Sequence, residues 1–87
     1  MSFRAATEVY SKPFDAAFFA LPVGLQQQIE ESIHDMGRRL DRFPHHRLKG
    51  SADCRLRVGD YRVIYCFDLN ENALYLLSVG HRSKIYR

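Results

Sequence analysis

Cys54-Arg55-Leu56-Arg57-Val58-Gly59-Asp60-Tyr61-Arg62-Val63-Ile64-Tyr65 is the segment whose reading decides the fold. Strand side chains alternate between faces, so Cys54, Leu56 and Val58 point one way while Arg55 and Arg57 point the other. Gly59-Asp60 has the composition of a two-residue hairpin loop, which would set Val58 opposite Tyr61, Arg57 opposite Arg62 and Leu56 opposite Val63. The hairpin then has an apolar side of Leu56, Val58, Tyr61, Val63, Tyr65 and Phe67. Its other side gathers Arg55, Arg57 and Arg62. Arg57 and Arg62 would have Cβ atoms about 5 Å apart, and like charges directly across a ladder repel.

The neighbouring segments supply what such a hairpin needs. Ala73 to Gly80 is apolar on both faces at Leu74, Tyr75, Leu76, Leu77 and Val79, as suits a strand paired on both sides. Upstream, from about Val23 to Asp41, the residues Leu25, Ile29, Ile33, Met36 and Leu40 form one helical stripe, with Gln26, Gln27, Glu30, Glu31, Arg38 and Arg39 away from it. Gly37 falls inside that helix at a cost of roughly 1 kcal/mol relative to alanine, so its last turn is expected to fray or bend. A shorter helix begins at Pro13, runs through Phe14, Phe18 and Leu21, and stops at Pro22. Before it, Arg4 to Tyr10 reads as a first strand; between the long helix and the hairpin, Phe43-Pro44-His45-His46 reads as a loop. The element order is β-α-α-β-β-β in one domain spanning residues 1–87, an α+β fold.

The 87 residues allow one core only, and 46% hydrophobic with 26% charged residues describe an ordinary globular chain. No stretch approaches the ~20 apolar residues that cross a bilayer, and residues 1–10 lack a secretory pattern. Cys54 and Cys66 are too few for a disulfide scaffold and should face opposite sides of the sheet, so a cytoplasmic protein without a disulfide or zinc site is expected. The net charge of +3 is unevenly placed: residues 1–43 hold five Lys/Arg against six Asp/Glu, and residues 44–87 hold eight against four. The second half is the basic half.

Three arginines on one hairpin face could simply be solvated, with their stems on apolar surface. Convergence on one face favours a polyanion instead, because planar guanidinium groups grip phosphate oxygens in pairs. A second cationic group, His81-Arg82-Ser83-Lys84-Ile85-Tyr86-Arg87, follows the last strand and contains no acid. Its alternative reading is a frayed, solvated terminus.

Leu48-Lys49-Gly50, the hairpin Arg55 to Tyr65, the terminal Val79-Gly80-His81-Arg82 and Tyr86 together resemble the RelE-like branch of the RelE/ParE toxin superfamily, over roughly residues 8 to 87. The resemblance implies two N-terminal helices on a small curved antiparallel sheet, and a toxin of a type II toxin–antitoxin pair. It further implies a ribosome-dependent mRNA endoribonuclease that works at the ribosomal A site and halts translation. The implied chemistry, attack of a ribose 2′-hydroxyl on the adjacent phosphate, needs no metal or other cofactor.

By motif, Arg62 and Arg82 would clamp the phosphate, Arg55 and Arg57 would orient the backbone, and Tyr86 would stack on a base or assist the 2′-hydroxyl. Lys49, Lys84 and Arg87 would add RNA contacts. The position of Arg57 is often lysine in such toxins, and an arginine stays protonated, so the proton acceptor must be sought elsewhere. His81 is the preferred acid or base, with an exposed histidine of no role as the alternative. His45 and His46 read as a polar loop, with RNA contact as the lesser alternative. The expected partners are an acidic, partly helical antitoxin segment, mRNA with the ribosome, and operator DNA only through the antitoxin, with no membrane. Two rival functions remain open: a ParE-like gyrase inhibitor without ribonuclease activity, and a nucleic-acid-binding co-repressor module.

Overall fold

A computed structural model of the protein describes residues 4–85. The elements are β1 (Thr7–Tyr10), α1 (Lys12–Phe19), α2 (Val23–Arg38), β2 (His46–Arg47), β3 (Cys54–Val58), β4 (Tyr61–Asp68) and β5 (Ala73–His81). Both helices pack on a five-stranded sheet of order β1-β5-β4-β3-β2. The architecture is α+β, as the sequence pattern predicts.

The hairpin register is the one read from the sequence: Val58 pairs with Tyr61, Arg57 with Arg62 and Leu56 with Val63. Gly59 adopts φ +58° and Asp60 a negative φ, the pattern of a II′ turn with glycine at its first central position. Leu56 and Val58 on β3 and Val63 and Tyr65 on β4 join Phe14 and Phe18 of α1 and Ile29, Ile33 and Met36 of α2 in one apolar cluster. Each such burial contributes about 1.5–3 kcal/mol, so the alternation of β3 and the stripe of α2 together fix which sheet face is covered. Among the described residues, the other face carries no helix.

The sheet is mixed, not antiparallel throughout. β1 runs parallel to β5, with Thr7 opposite Ala73 and Tyr10 opposite Leu76, while every other pairing is antiparallel. The chain leaves β1, passes through both helices to the far edge at β2 and returns strand by strand, which brings β5 back beside β1 in the same direction. The helix stops short of the expected Asp41 because the carbonyl of Gly37, which would accept from residue 41, accepts from the Ala6 N–H at 2.9 Å. His46, expected in a loop, pairs with Arg55, and Arg47 beside it pairs with Cys54, making a two-residue edge strand. That strand is too short for its alternation to show in sequence.

Between Ile64 and Tyr65 the β4–β5 register shifts, so that Ile64 pairs with Ser78, Tyr65 with Leu76, and Leu77 is the extra residue of a bulge. Ser11 resolves two deficits at once. Its hydroxyl donates to the Leu77 carbonyl at 2.8 Å, and its Oγ accepts from the Phe14 N–H at 3.1 Å, capping α1. Pro13 lies in the first turn of that helix, where a missing N–H costs nothing.

Tyr65 is fully buried, and burial, with Cys54 beside it, holds its hydroxyl well above the ordinary tyrosine range. The folded state therefore keeps a proton that the unfolded chain releases near pH 10, so this group favours the fold below pH 10 and loses that contribution as pH rises further. Urea unfolding followed from pH 8 to pH 11 is expected to show a falling midpoint above pH 10. A midpoint that stays level across that range would contradict the assignment.

Candidate nucleic-acid interface

Alternation along β3 and β4 leaves Arg55, Arg57 and Arg62 on the helix-free face. They line one open pocket of about 290 Å³ together with His46, which stands opposite Arg55 on the edge strand. No acid lines this pocket, and neither Arg55 nor Arg57 forms an ion pair among the described residues. Arg62 is anchored by one nitrogen only: its Nη1 donates to the carbonyls of Gly59 at 3.0 Å and Tyr61 at 2.9 Å. Its remaining N–H groups are free for an anion among the described residues.

Arg82 approaches from the end of β5. Its backbone N–H donates to the Asp60 carbonyl at 2.8 Å, one rung beyond the Tyr61–His81 pair, but residue 82 lies in the turn after β5 and does not line the arginine pocket. Ile85 folds over the face of Gly80 and Arg62: its Cδ1 lies 3.3 Å from where a Cβ on Gly80 would be, so a larger residue at 80 would require the Ile85 side chain to give by a few tenths of an ångström. Lys84 is exposed in this turn, and Lys49 is exposed in the loop between β2 and β3, outside the pocket lining. Tyr86 and Arg87 lie outside the described residues.

His81 is not brought to the arginines. It stands opposite Tyr61 on the helix-covered face, where the two rings meet edge-on at 5.4 Å. Its Nδ1 accepts from the Ser83 N–H at 3.1 Å and lies 2.8 Å from the Ser83 hydroxyl, so the neutral ring carries its proton on Nε2. One step of strand alternation separates His81 from the face where Gly80 and Arg62 lie.

The histidines given little weight in the sequence have divergent positions. His45 is a packing residue: its Nε2–H donates to the Leu40 carbonyl at 2.8 Å, its Nδ1 accepts from the Tyr65 hydroxyl at 2.6 Å, and its ring stacks on Phe67 with centroids 3.9 Å apart. His46 is exposed and faces the arginines. Only the pairing of β2 with β3 distinguishes them, since consecutive strand residues face opposite ways.

Arg57 directly opposite Arg62 is a standing repulsion within the ladder. Arg57→Ala is therefore expected to raise unfolding stability by roughly 0.2–1 kcal/mol in low salt while weakening any polyanion complex. Denaturant midpoints at low and high salt check this, because the gain should fade as salt screens the pair. A loss of stability in both salts would show that Arg57 supports the fold.

The family model describing the ParE toxin of the type II toxin–antitoxin system parDE matches residues 9–86. The chain belongs to the ParE toxin family. A search of curated proteins found no significant match. Among solved structures, the toxin resembles a chain of a RelBE toxin–antitoxin complex from Mycobacterium tuberculosis, with TM-score 0.77 and 21% identity, covering 95% of this chain and 98% of that one. It is also similar to a chain of the archaeal RelE–RelB complex from Pyrococcus horikoshii, with TM-score 0.75 and 22% identity over 93% and 99% of the two chains. A doubly arginine-to-alanine-substituted E. coli RelE toxin in the free state gives TM-score 0.75 and 19% identity over 94% and 88%. At these identities the likeness establishes the fold. With the family match, it makes this chain a type II toxin–antitoxin toxin of the RelE/ParE superfamily, and no helix among its described residues is long and apolar enough to cross a membrane.

Proposed function

We propose that this toxin is an endoribonuclease that cuts messenger RNA within the ribosome by 2′-hydroxyl attack. The observation that carries this reading is the acid-free pocket on the open sheet face, lined by Arg55, Arg57, Arg62 and His46. In such a reaction the 2′-oxygen bonds to the neighbouring phosphorus, the bond to the 5′-oxygen breaks, and the products are a 2′,3′-cyclic phosphate and a 5′-hydroxyl. Negative charge grows on the phosphoryl oxygens at the transition state, where fixed guanidinium donors stabilise it most. Arg62 and Arg82 supply those donors, while Arg55 and Arg57 hold the strand on either side.

The proton of the 2′-hydroxyl needs an acceptor, and guanidinium groups cannot serve. Among the described residues lining the pocket, His46 is the side chain able to take a proton or give one, and it replaces His81 in that role in this reading. Tyr86 at the terminus is assigned to stacking on a base, and Lys49, Lys84 and Arg87 to phosphate contacts. A cognate antitoxin with an acidic, partly helical segment neutralises the toxin by covering the arginines.

The family match favours a second reading, inhibition of DNA gyrase without RNA chemistry. Inducing the toxin without its antitoxin in bacteria and mapping RNA 5′ ends tests the choice. New 5′-hydroxyl ends inside translated codons are expected. Intact transcripts together with blocked supercoiling by purified gyrase would establish the gyrase reading instead.

A further inference from the structure

The hairpin tip binds both arginines assigned to the phosphate. Gly59 and Tyr61 accept from Arg62, while Asp60 accepts the Arg82 backbone N–H and sets its carboxylate Oδ1 3.7 Å from the Arg82 Nε. The Asp60 and Arg82 side chains are 74% and 63% exposed, and a pair so open to water contributes little to stability. Its consequence is directional. At 3.7 Å the contact is an electrostatic attraction, not a hydrogen bond; a carboxylate nearest the Nε side draws that side toward it and leaves the two terminal nitrogens as a fork, and those of Arg82 have no partner among the described residues.

We propose that Asp60 is a positioning residue that aims the terminal N–H pair of Arg82 at the scissile phosphate, an inference resting on the ribonuclease reading of the arginine face. A carboxylate beside a phosphate-binding arginine also opposes the ligand's charge. Removing it should therefore loosen the aim of Arg82 without weakening attraction for RNA. Simple loss of a structural contact would not separate those two effects.

The test is single-turnover cleavage of messenger RNA on programmed ribosomes by the full chain, with toxin concentration varied. Asp60→Asn keeps the turn and the backbone bond to Arg82 but removes the charge. It is expected to lower the saturating rate about tenfold, the scale of misaiming one preorganised group, with a half-saturating concentration unchanged or smaller. Asp60→Glu, which restores a carboxylate, should recover part of the rate. Asp53→Asn, the same charge change at a residue without an arginine contact in the structure, should leave the saturating rate as in the wild type. Equal saturating rates for Asp60→Asn and wild type would overturn the role of Asp60 and leave the ribonuclease intact, as would an equal fall in Asp53→Asn. A wild-type chain that leaves RNA uncut would overturn the ribonuclease reading and this inference with it.

Discussion

Arg62→Ala is expected to lower RNA cleavage by 10²-fold or more while the thermal midpoint moves by only a few degrees. The first half follows from where the guanidinium sits: Nη1 is fixed to two carbonyls of the hairpin tip, so the remaining N–H groups are held in place before any RNA arrives. Losing one such preorganised donor removes stabilisation that exists mainly in the transition state, about 2.7–4 kcal/mol in comparable sites. The second half follows from exposure and pairing. Arg62 contributes two hydrogen bonds to a solvent-facing tip, but its removal also relieves the repulsion from Arg57. Cleavage by mapped 5′ ends and unfolding by circular dichroism check the two halves separately. A variant that unfolds would make Arg62 a structural residue, and one that cuts at the wild-type rate would remove it from the phosphate clamp.

What could be read without coordinates depended on the length over which a pattern repeats. β3 alternates over five residues and α2 carries its stripe through four turns, so the hairpin register and the covered face followed directly from residue order. Burial of one face penalises a one-residue slip heavily, and this is why Arg55, Arg57 and Arg62 could be placed together. β1 is four residues long with three of them exposed, so nothing in it announces a parallel partner 66 residues away in sequence. The bulge at Leu77 was equally hidden, because its carbonyl is satisfied by Ser11, a residue whose sequence signal is only that of a helix cap. For the candidate site, adjacency in sequence to Arg82 gives no sign that His81 stands on the face opposite to Arg62, and the brevity of β2 gives none that His46 faces the arginines. Both placements have one source: which face a residue takes is decided by pairing, and pairing is visible in the sequence only where alternation is long.

Substituting the adjacent histidines should therefore give opposite phenotypes. His45→Ala leaves the Tyr65 hydroxyl and the Leu40 carbonyl without their partners and removes a ring stacked on Phe67. Tyr65 is fully buried, so water cannot readily replace the lost acceptor. Unsatisfied polar groups at about 1–3 kcal/mol each, with the lost ring contact, put the destabilisation at roughly 2–4 kcal/mol. In a domain of this size that is a fall of about 10–20 °C in midpoint, and below the new midpoint the surviving folded fraction should still cleave. His46→Ala removes an exposed ring that makes no hydrogen bond among the described residues, so stability should change by no more than about 0.5 kcal/mol. Its cleavage rate should fall by about 10²–10⁴-fold, the usual contribution of a positioned acid or base. Calorimetry and cleavage on programmed ribosomes at one temperature read both variants. If His46→Ala cuts at the wild-type rate, the proton passes to another group, and the pocket is a binding surface whose chemistry lies elsewhere on the chain.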